Sequence, residues 1–356
     1  NPSSGFLAKI GDIPPGKHGI GDEKMQAYNF RLCLTQYEKN RVPFSKPEKY
    51  DPQQYEVLLR ALIEESSHIL TKFYPIPNAK TYTNNFGPFS TDNIGMNFRY
   101  SEASYEERSL ILEEQKTYQK GYFYFLCYDP RVPLEVREQI AKWGLAKDEF
   151  EDNEHWPHQI YVREARRMVS DFVMTDLHVR GQVETSQPIG MGSRYMESSH
   201  VQRYGKKDRS GKSYDVNEGG VYIDPDTPYP ISYQCIVPRK EECGNLLVPV
   251  CVSSSHIVHA SLRKESVFMI LAQSAGAAAC IAIDEGINVQ QVSYEKLKRQ
   301  LLEDGQILQL QENNLVATGL GINPNDLQGL VVDGTAIKLK GKWTQSASLR
   351  PFRSEE

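Results

Sequence analysis

This 356-residue chain contains no G-x-G-x-x-G, and its nearest approach, Gly190-Met191-Gly192, lacks the third glycine and follows no convincing strand. The loop that normally cradles a dinucleotide pyrophosphate is therefore missing. Cysteine is sparse: Cys33, Cys127, Cys235, Cys243, Cys251 and Cys280 form no C-x-x-C pair and no zinc spacing, so no metal site is expected. Most of them sit in apolar sequence and read as buried free thiols, with a Cys235–Cys243 disulfide as the alternative. No charge of one sign dominates. A net charge of −5 argues against a nucleic-acid partner. Residues 266–283 carry no charge, but Gln273, Ser274 and Gly276 interrupt them and their flanks are ordinary soluble sequence, so no membrane span is expected. No internal repeat occurs, and no Ser-His-Asp order or carboxylate pair supports a hydrolase.

What is present is the composition of a soluble globular protein, 39% hydrophobic and 24% charged, long enough for two domains. Its 20 tyrosines suit amphipathic ligands such as sugars, or a core. The most informative stretch is residues 246–283. An apolar run at 246–252 predicts a buried strand, Ser253, Ser254 and Ser255 a turn, and the following Leu, Met, Gln and Ala a helix. Strand, serine turn and helix aim free N–H groups at whatever faces the turn; phosphates, carboxylates and a flavin edge are the usual guests. The small residues 275–279 let that helix lie close to a sheet or cofactor.

Elsewhere, alternation predicts a strand at 26–34. Apolar spacing predicts a helix at 52–73, and further helices are expected at 105–126 with its aromatic end, at 133–143, at the arginine-rich 157–175 and at 294–304. Residues 81–97 read as a polar loop, 191–233 as strands and turns, and 329–353 as β-like.

Five segments carry a family resemblance: MQAYNFRLCLT (25–35), NNFGPFSTDNIGMN (84–97), GLAKDEFEDNEHWPHQIYVREARRMVSDFVMT (144–175), SSHVQRY (198–204) and 246–283. With them the chain resembles the FAD-dependent oxidoreductases often called xanthan lyase-like. The resemblance implies a Rossmann-type fold, α/β or α+β, and FAD as cofactor. In that family a glycine-motif region comes first, so the resemblance also implies a fragment that does not itself retain FAD tightly. The expected organisation is a substrate domain with a helical insert at 1–235, the closing strand and helix of an FAD domain at 236–310, and a linker with the start of a β-rich module at 311–356. The family pattern near SASHIAYGSIRMEP here reads SSSHIVHASLRKES, and alanine at 260 in place of glycine narrows backbone freedom.

The implied activity is oxidation of a small molecule, sugar-derived ones included, by hydride transfer to flavin, with a small-molecule or carbohydrate substrate as partner. A carbohydrate-active lyase or non-catalytic glycan-binding protein is the alternative. Oligomeric state stays open, and the compartment is periplasmic or extracellular if the parent protein is exported. Expected catalytic residues are His256, His200 and Arg203. Cofactor contacts are expected from Ser253, Ser254, Ser255, His259, Ala260, Ser261 and Arg263, whose guanidinium suits an anion or the flavin pyrimidine. Substrate contacts are expected from Asn84, Asn85, Ser90, Thr91, Asp92, Tyr161 and Arg163. Glu164 and its arginine neighbours read as an ion-paired helix face.

Overall fold

The computed structural model describes residues 7–11, 13–17, 20–64, 72–87 and 89–310. The expected β-rich tail at 329–353 and the 311–356 segment lie outside them. The strands are β1 (Cys33–Thr35), β2 (Arg41–Val42), β3 (Lys72–Ile76), β4 (Lys80–Asn84), β5 (Gly144–Ala146), β6 (Pro188–Gly192), β7 (Met196–Ser198), β8 (Gln202–Lys207), β9 (Ser213–Glu218), β10 (Val221–Ile223) and β11 (Tyr229–Ser232). The helices are α1 (Glu56–Glu64), α2 (Tyr105–Tyr128), α3 (Leu134–Ala141), α4 (Asp176–Val179), α5 (His256–Leu262), α6 (Glu265–Glu285) and α7 (Tyr294–Glu303). A five-stranded sheet has the order β2-β5-β1-β4-β3, and three two-stranded ribbons pair β10 with β7, β11 with β6 and β8 with β9. Every ladder between these strands is antiparallel. The chain mixes helix and strand in the α+β manner, with no parallel ladder of a Rossmann sheet among the described residues.

Two apolar clusters organise the packing. The first gathers Tyr28, Leu34, Leu58, Phe123, Trp156 and Ile160 around α2. Much of the tyrosine content belongs there: Tyr55 packs on Tyr118 and Phe125, and its hydroxyl donates to the Tyr118 carbonyl at 2.7 Å. Helix α2 starts on a capping box, Ser104 with Glu107, and stops one residue before Pro130 cannot continue it. The second cluster gathers Met174, Ile231, Val258, Leu271, Ala278 and Leu297 around α6. Here β6 and α6 lie so close that a Cβ on Gly190 would meet the Ile270 Cγ2 at 2.3 Å, while Ser274 Oγ donates to the Ile189 carbonyl at 2.8 Å. The expected close approach of the helix is real, but Ser274 and Ala278 face the sheet, whereas Gly276 is exposed. By length and composition α6 could cross a membrane, and a third of its apolar window is buried.

Several local expectations give way. Residues 157–175 form an extended segment, because their backbone groups find partners on other chain segments. Tyr161 N donates to Asn29 O at 2.9 Å, Met168 N to Cys251 O at 2.8 Å and Met174 N to Ser253 O at 3.1 Å. The β-branched Ile160, Val162, Val169 and Val173 suit that conformation. Residues 246–252 form no strand; Pro249 removes a donor, and Leu246 and Val250 are about half exposed. The long helix breaks at Arg263–Lys264, where the backbone leaves helical values. Of the expected helix at 52–73, the described residues form α1 over Glu56–Glu64, whereas Lys72–Ile76 is a strand. Of 26–34, only Cys33 and Leu34 lie in β1, with a lone bridge at Asn29. Cys251 and Cys280 are exposed rather than buried, and all six thiols are free, so Cys235 and Cys243 are not joined.

Candidate functional site

The extended course of 157–175 decides where its charges go. Successive side chains on an extended chain point to opposite sides. Arg163 therefore enters one polar cluster and Glu164 another, and both are buried, unlike the solvated helix face expected for them.

On the Glu164 side, Glu164 Oε1 accepts from Gln26 N at 2.6 Å, and Oε2 lies 2.7 Å from His256 Nδ1. His256 is the first residue of α5, and its Nε2 lies 3.1 Å from Ser198 Oγ at the end of β7. The carboxylate is 2% exposed and the imidazole 40%, so a buried anion orients a ring that solvent or substrate can reach. Burial alone would raise the Glu164 carboxyl. The close contact and charge of His256, with the Gln26 N–H, outweigh it and hold the group below its ordinary value. Oε2 accepts no hydrogen bond of good geometry, so the contact is one of charge: an ionised Glu164 beside Nδ1 favours a proton on that side of the ring, while Nε2 faces the Ser198 hydroxyl.

On the Arg163 side, Arg163 pairs with buried Asp92 at 3.0 Å and reaches Asn85 Oδ1 at 3.3 Å. Asn29 Nδ2 donates to Asp92 Oδ1 at 2.7 Å and to Thr91 Oγ1 at 3.2 Å. Burial raises Asp92, against the pull of Arg163, Arg31 and Asn29. Ser90, Thr91 and Asp92 are thus buried and engaged with protein groups: Ser90 Oγ accepts from Asp92 N at 3.3 Å, and its carbonyl from the Tyr118 hydroxyl at 2.7 Å. They brace the site from within instead of presenting polar groups to a substrate. Asn84 Oδ1 is turned onto Asn85 N at 2.8 Å. Asn85 and Tyr161 keep partly open side chains.

Segment 26–29 ties the two sides together. Gln26 Oε1 accepts from Ser199 N at 2.8 Å and from Arg263 Nη2 at 3.5 Å, and Ala27 N donates to the His200 carbonyl at 3.0 Å. His200 abuts Gly220, where a Cβ would meet its Cε1 at 2.6 Å. Burial, then the charges of Arg203 and Arg163, lower its pKa, so the ring is neutral at pH 7. Arg203 turns away from His256: it donates to Asn217 Oδ1 at 2.9 Å, lies 3.5 Å from Asp215 and covers the Phe89 ring at 4.5 Å. These partners lie in the β8–β9 hairpin and on Phe89, and His256 is not among them.

The serine turn differs from a row of free N–H groups. Ser253 N donates to Cys235 O and Ser255 N to Met174 O. The Ser253 hydroxyl accepts from Ser170 N at 3.1 Å and donates to Phe172 O at 2.7 Å, which makes it structural. Ser261 is equally spent, bonded to the Tyr229 hydroxyl and the Arg194 carbonyl, and Ala260 is fully buried inside α5. Ala260 has ordinary helical backbone, so no glycine freedom is lost there. Neither side chain has a surface left for a cofactor.

Three polar atoms of the turn remain buried without a protein partner: Ser254 Oγ, Ser255 Oγ and His259 Nδ1. Burial, with the Arg167 charge, pushes His259 down to about 4, so its ring is neutral at pH 7. Two hydroxyls that donate or accept, and a neutral imidazole, match the mixed carbonyl and nitrogen edge of a flavin. The residues present fit that group.

Glu164, Ser198, Gln26 and Asn29 are the functional candidates that sequence patterning missed as such. Each lies inside a segment carrying the family resemblance, which is the one signal that marked them. Among the described residues no cluster of metal-binding side chains occurs. A groove of about 430 Å³ beside the start of α2, lined by Met96, Phe98, Leu110 and Ile111, contains none of the site residues.

Comparison with curated proteins and with solved structures gives no match. A family model described as FAD dependent oxidoreductase matches residues 6–301. That match takes in the first apolar cluster, all of the second but Leu308, the His256–Glu164 pair and the turn with its unpartnered hydroxyls, and the chain belongs to the FAD dependent oxidoreductase family: it is an FAD-dependent enzyme.

Proposed function

We propose that the protein oxidises a small hydroxyl-bearing substrate, sugar-derived alcohols included, with His256 as the base that takes the hydroxyl proton. The observation that carries this reading is the placement of His256 between Glu164 and Ser198, at 2.7 and 3.1 Å. FAD, when bound, supplies the two-electron acceptor for the substrate C–H hydride. Ser254, Ser255 and His259 are the residues that would hold its ring edge.

The chain's own part is proton handling and orientation. Glu164 favours the Nδ1–H tautomer and stabilises the imidazolium formed when Nε2 gains a proton, the role of a buried carboxylate behind a catalytic histidine. Ser198 holds the Nε2 edge in place until a substrate hydroxyl replaces it. Gln26 fixes Glu164 from one side and Ser199 from the other, so base and neighbouring strand keep register.

The test is anaerobic mixing of the FAD-loaded protein with a panel of sugar-derived alcohols and hydroxy acids, followed by flavin absorbance. The reading expects at least one compound to bleach the flavin. It expects Ser198→Ala, with His256 intact, to retain far more of that bleaching than His256→Gln. Equal loss in both, or no bleaching by any hydroxylated compound, contradicts it.

A further inference from the structure

Three guanidiniums gather around Tyr161. Arg31 Cζ lies 4.3 Å from its ring centroid, Arg163 Cζ 5.9 Å, and Arg263 Nη1 is 3.5 Å from its hydroxyl. Only one of them is matched by an anion: Arg163 pairs with Asp92 at 3.0 Å. Among the described residues, no carboxylate oxygen lies within 4 Å of the Arg31 or Arg263 guanidinium. Arg31 makes no hydrogen bond at all there; its Nε is buried and unpartnered, and Tyr161 is its one contact of note. Arg263 is 7% exposed, its Nε is likewise buried and unpartnered, and its remaining contacts are long. They reach Tyr161 Oη at 3.5 Å, Gln26 Oε1 at 3.5 Å and the Glu197 carbonyl at 3.3 Å, the outer edge of hydrogen bonding.

Buried charge is costly unless paired, and folds pair it or use it. Arg263, buried at the Tyr161 hydroxyl, and Arg31, half-buried over its ring, feel the charges of Glu197 and Glu164 and of Asp92 only from beyond 4 Å, so neither has an anion in contact. A guanidinium presents N–H donors in a planar fork that matches a carboxylate. Tyr161, partly open, gives the site its accessible wall. Its position relative to the base follows from the helix: His256 and Arg263 stand at opposite ends of α5, two turns apart, about 10 Å along the axis.

We infer that Arg31, over the Tyr161 ring, and Arg263, at its hydroxyl, bind the carboxylate of the substrate, which is therefore a hydroxy acid. This rests on the oxidation reading for the word substrate, whereas the carboxylate site stands on the unmatched cations alone. The protein's reaction takes a molecule with a hydroxyl for His256 and a carboxylate for the two arginines.

The test is a titration of the full chain with sodium glycolate, sodium phosphate and sodium chloride at equal ionic strength, read by thermal midpoint. Glycolate is expected to raise the midpoint saturably and chloride not to. Arg31→Gln is expected to weaken the apparent glycolate affinity at least tenfold with its FAD content unchanged. Arg31 is the less buried of the two, so that variant is the one expected to fold; Arg263→Gln is the second, with the same expected loss. An unchanged glycolate response in both variants overturns the site. So does tighter binding of phosphate than of glycolate, or loss of FAD from Arg31→Gln at unchanged glycolate affinity, which would give the cations to the cofactor. If glycolate binds as expected but no hydroxylated compound bleaches the flavin, the carboxylate site survives and the oxidation reading falls.

Discussion

Glu164 Oε2 and His256 Nδ1 stand 2.7 Å apart, the first sealed in the interior and the second open to solvent. Glu164→Gln keeps the shape of that contact and removes its charge. The imidazolium formed on proton uptake then loses its counter-ion, and substrate oxidation is expected to slow by roughly 10²–10⁴-fold, the range for a compromised base. Flavin reduction rates in the two proteins, at equal FAD content, check this. A rate within threefold of wild type would show that the carboxylate has no part in the chemistry.

The same pair links to stability in acid. Glu164 is held below its ordinary 4.5, so its contribution is fully present above that pH and is lost as pH falls through the lower folded value. Unfolding measured from pH 5 downward is expected to weaken less steeply in Glu164→Gln than in wild type. Parallel curves would mean that the ion pair adds no pH-dependent stability.

His259 gives a second, separate window. Its folded value is depressed from 6.5 to about 4, so the unfolded chain binds the proton first. Stability is expected to be complete above about 6.5 and to fall as pH drops towards 4, by up to about 3 kcal/mol. His200, also lowered, acts in the same direction. Denaturant midpoints at pH 7 and pH 5 should converge in His259→Gln; an unchanged difference would assign the acid sensitivity elsewhere.

The buried Arg163–Asp92 pair braces residues 89–92 against segment 26–29. Asp92→Ala leaves the arginine charged and alone and is expected to cost about 3–5 kcal/mol in urea unfolding. A loss under 1 kcal/mol would show that water reaches Arg163 and that the cluster is not the closed structure described.

Helix α2 with its capping box, α7 with its amphipathic spacing and the short α3 after Pro133 were legible in the sequence to within two residues at each end. Segment 157–175 was not: its three arginines and Glu164 imitate a solvated helix, and only its pairing with Asn29, Cys251 and Ser253 reveals an extended strap. That single misreading hid the site, because a helix puts Arg163 and Glu164 on one surface and an extended chain puts them in two interiors. His256 was visible through its serine turn. Ser253, Ala260 and Ser261 lie in the same turn and helix yet serve the core, a distinction that depends on tertiary partners and leaves no mark in the local sequence. Arg31 lies in the resembling segment 25–35, but nothing in the sequence sets it apart there, because its meaning lies in having no counter-ion in contact.

The central claim is that His256 takes the proton in an FAD-dependent oxidation. Its most direct test is the anaerobic flavin-reduction rate of His256→Gln against wild type, with bound FAD per chain measured in both. The account predicts equal FAD content and a rate lower by roughly 10²–10⁴-fold. Equal FAD content with an unchanged rate would contradict it.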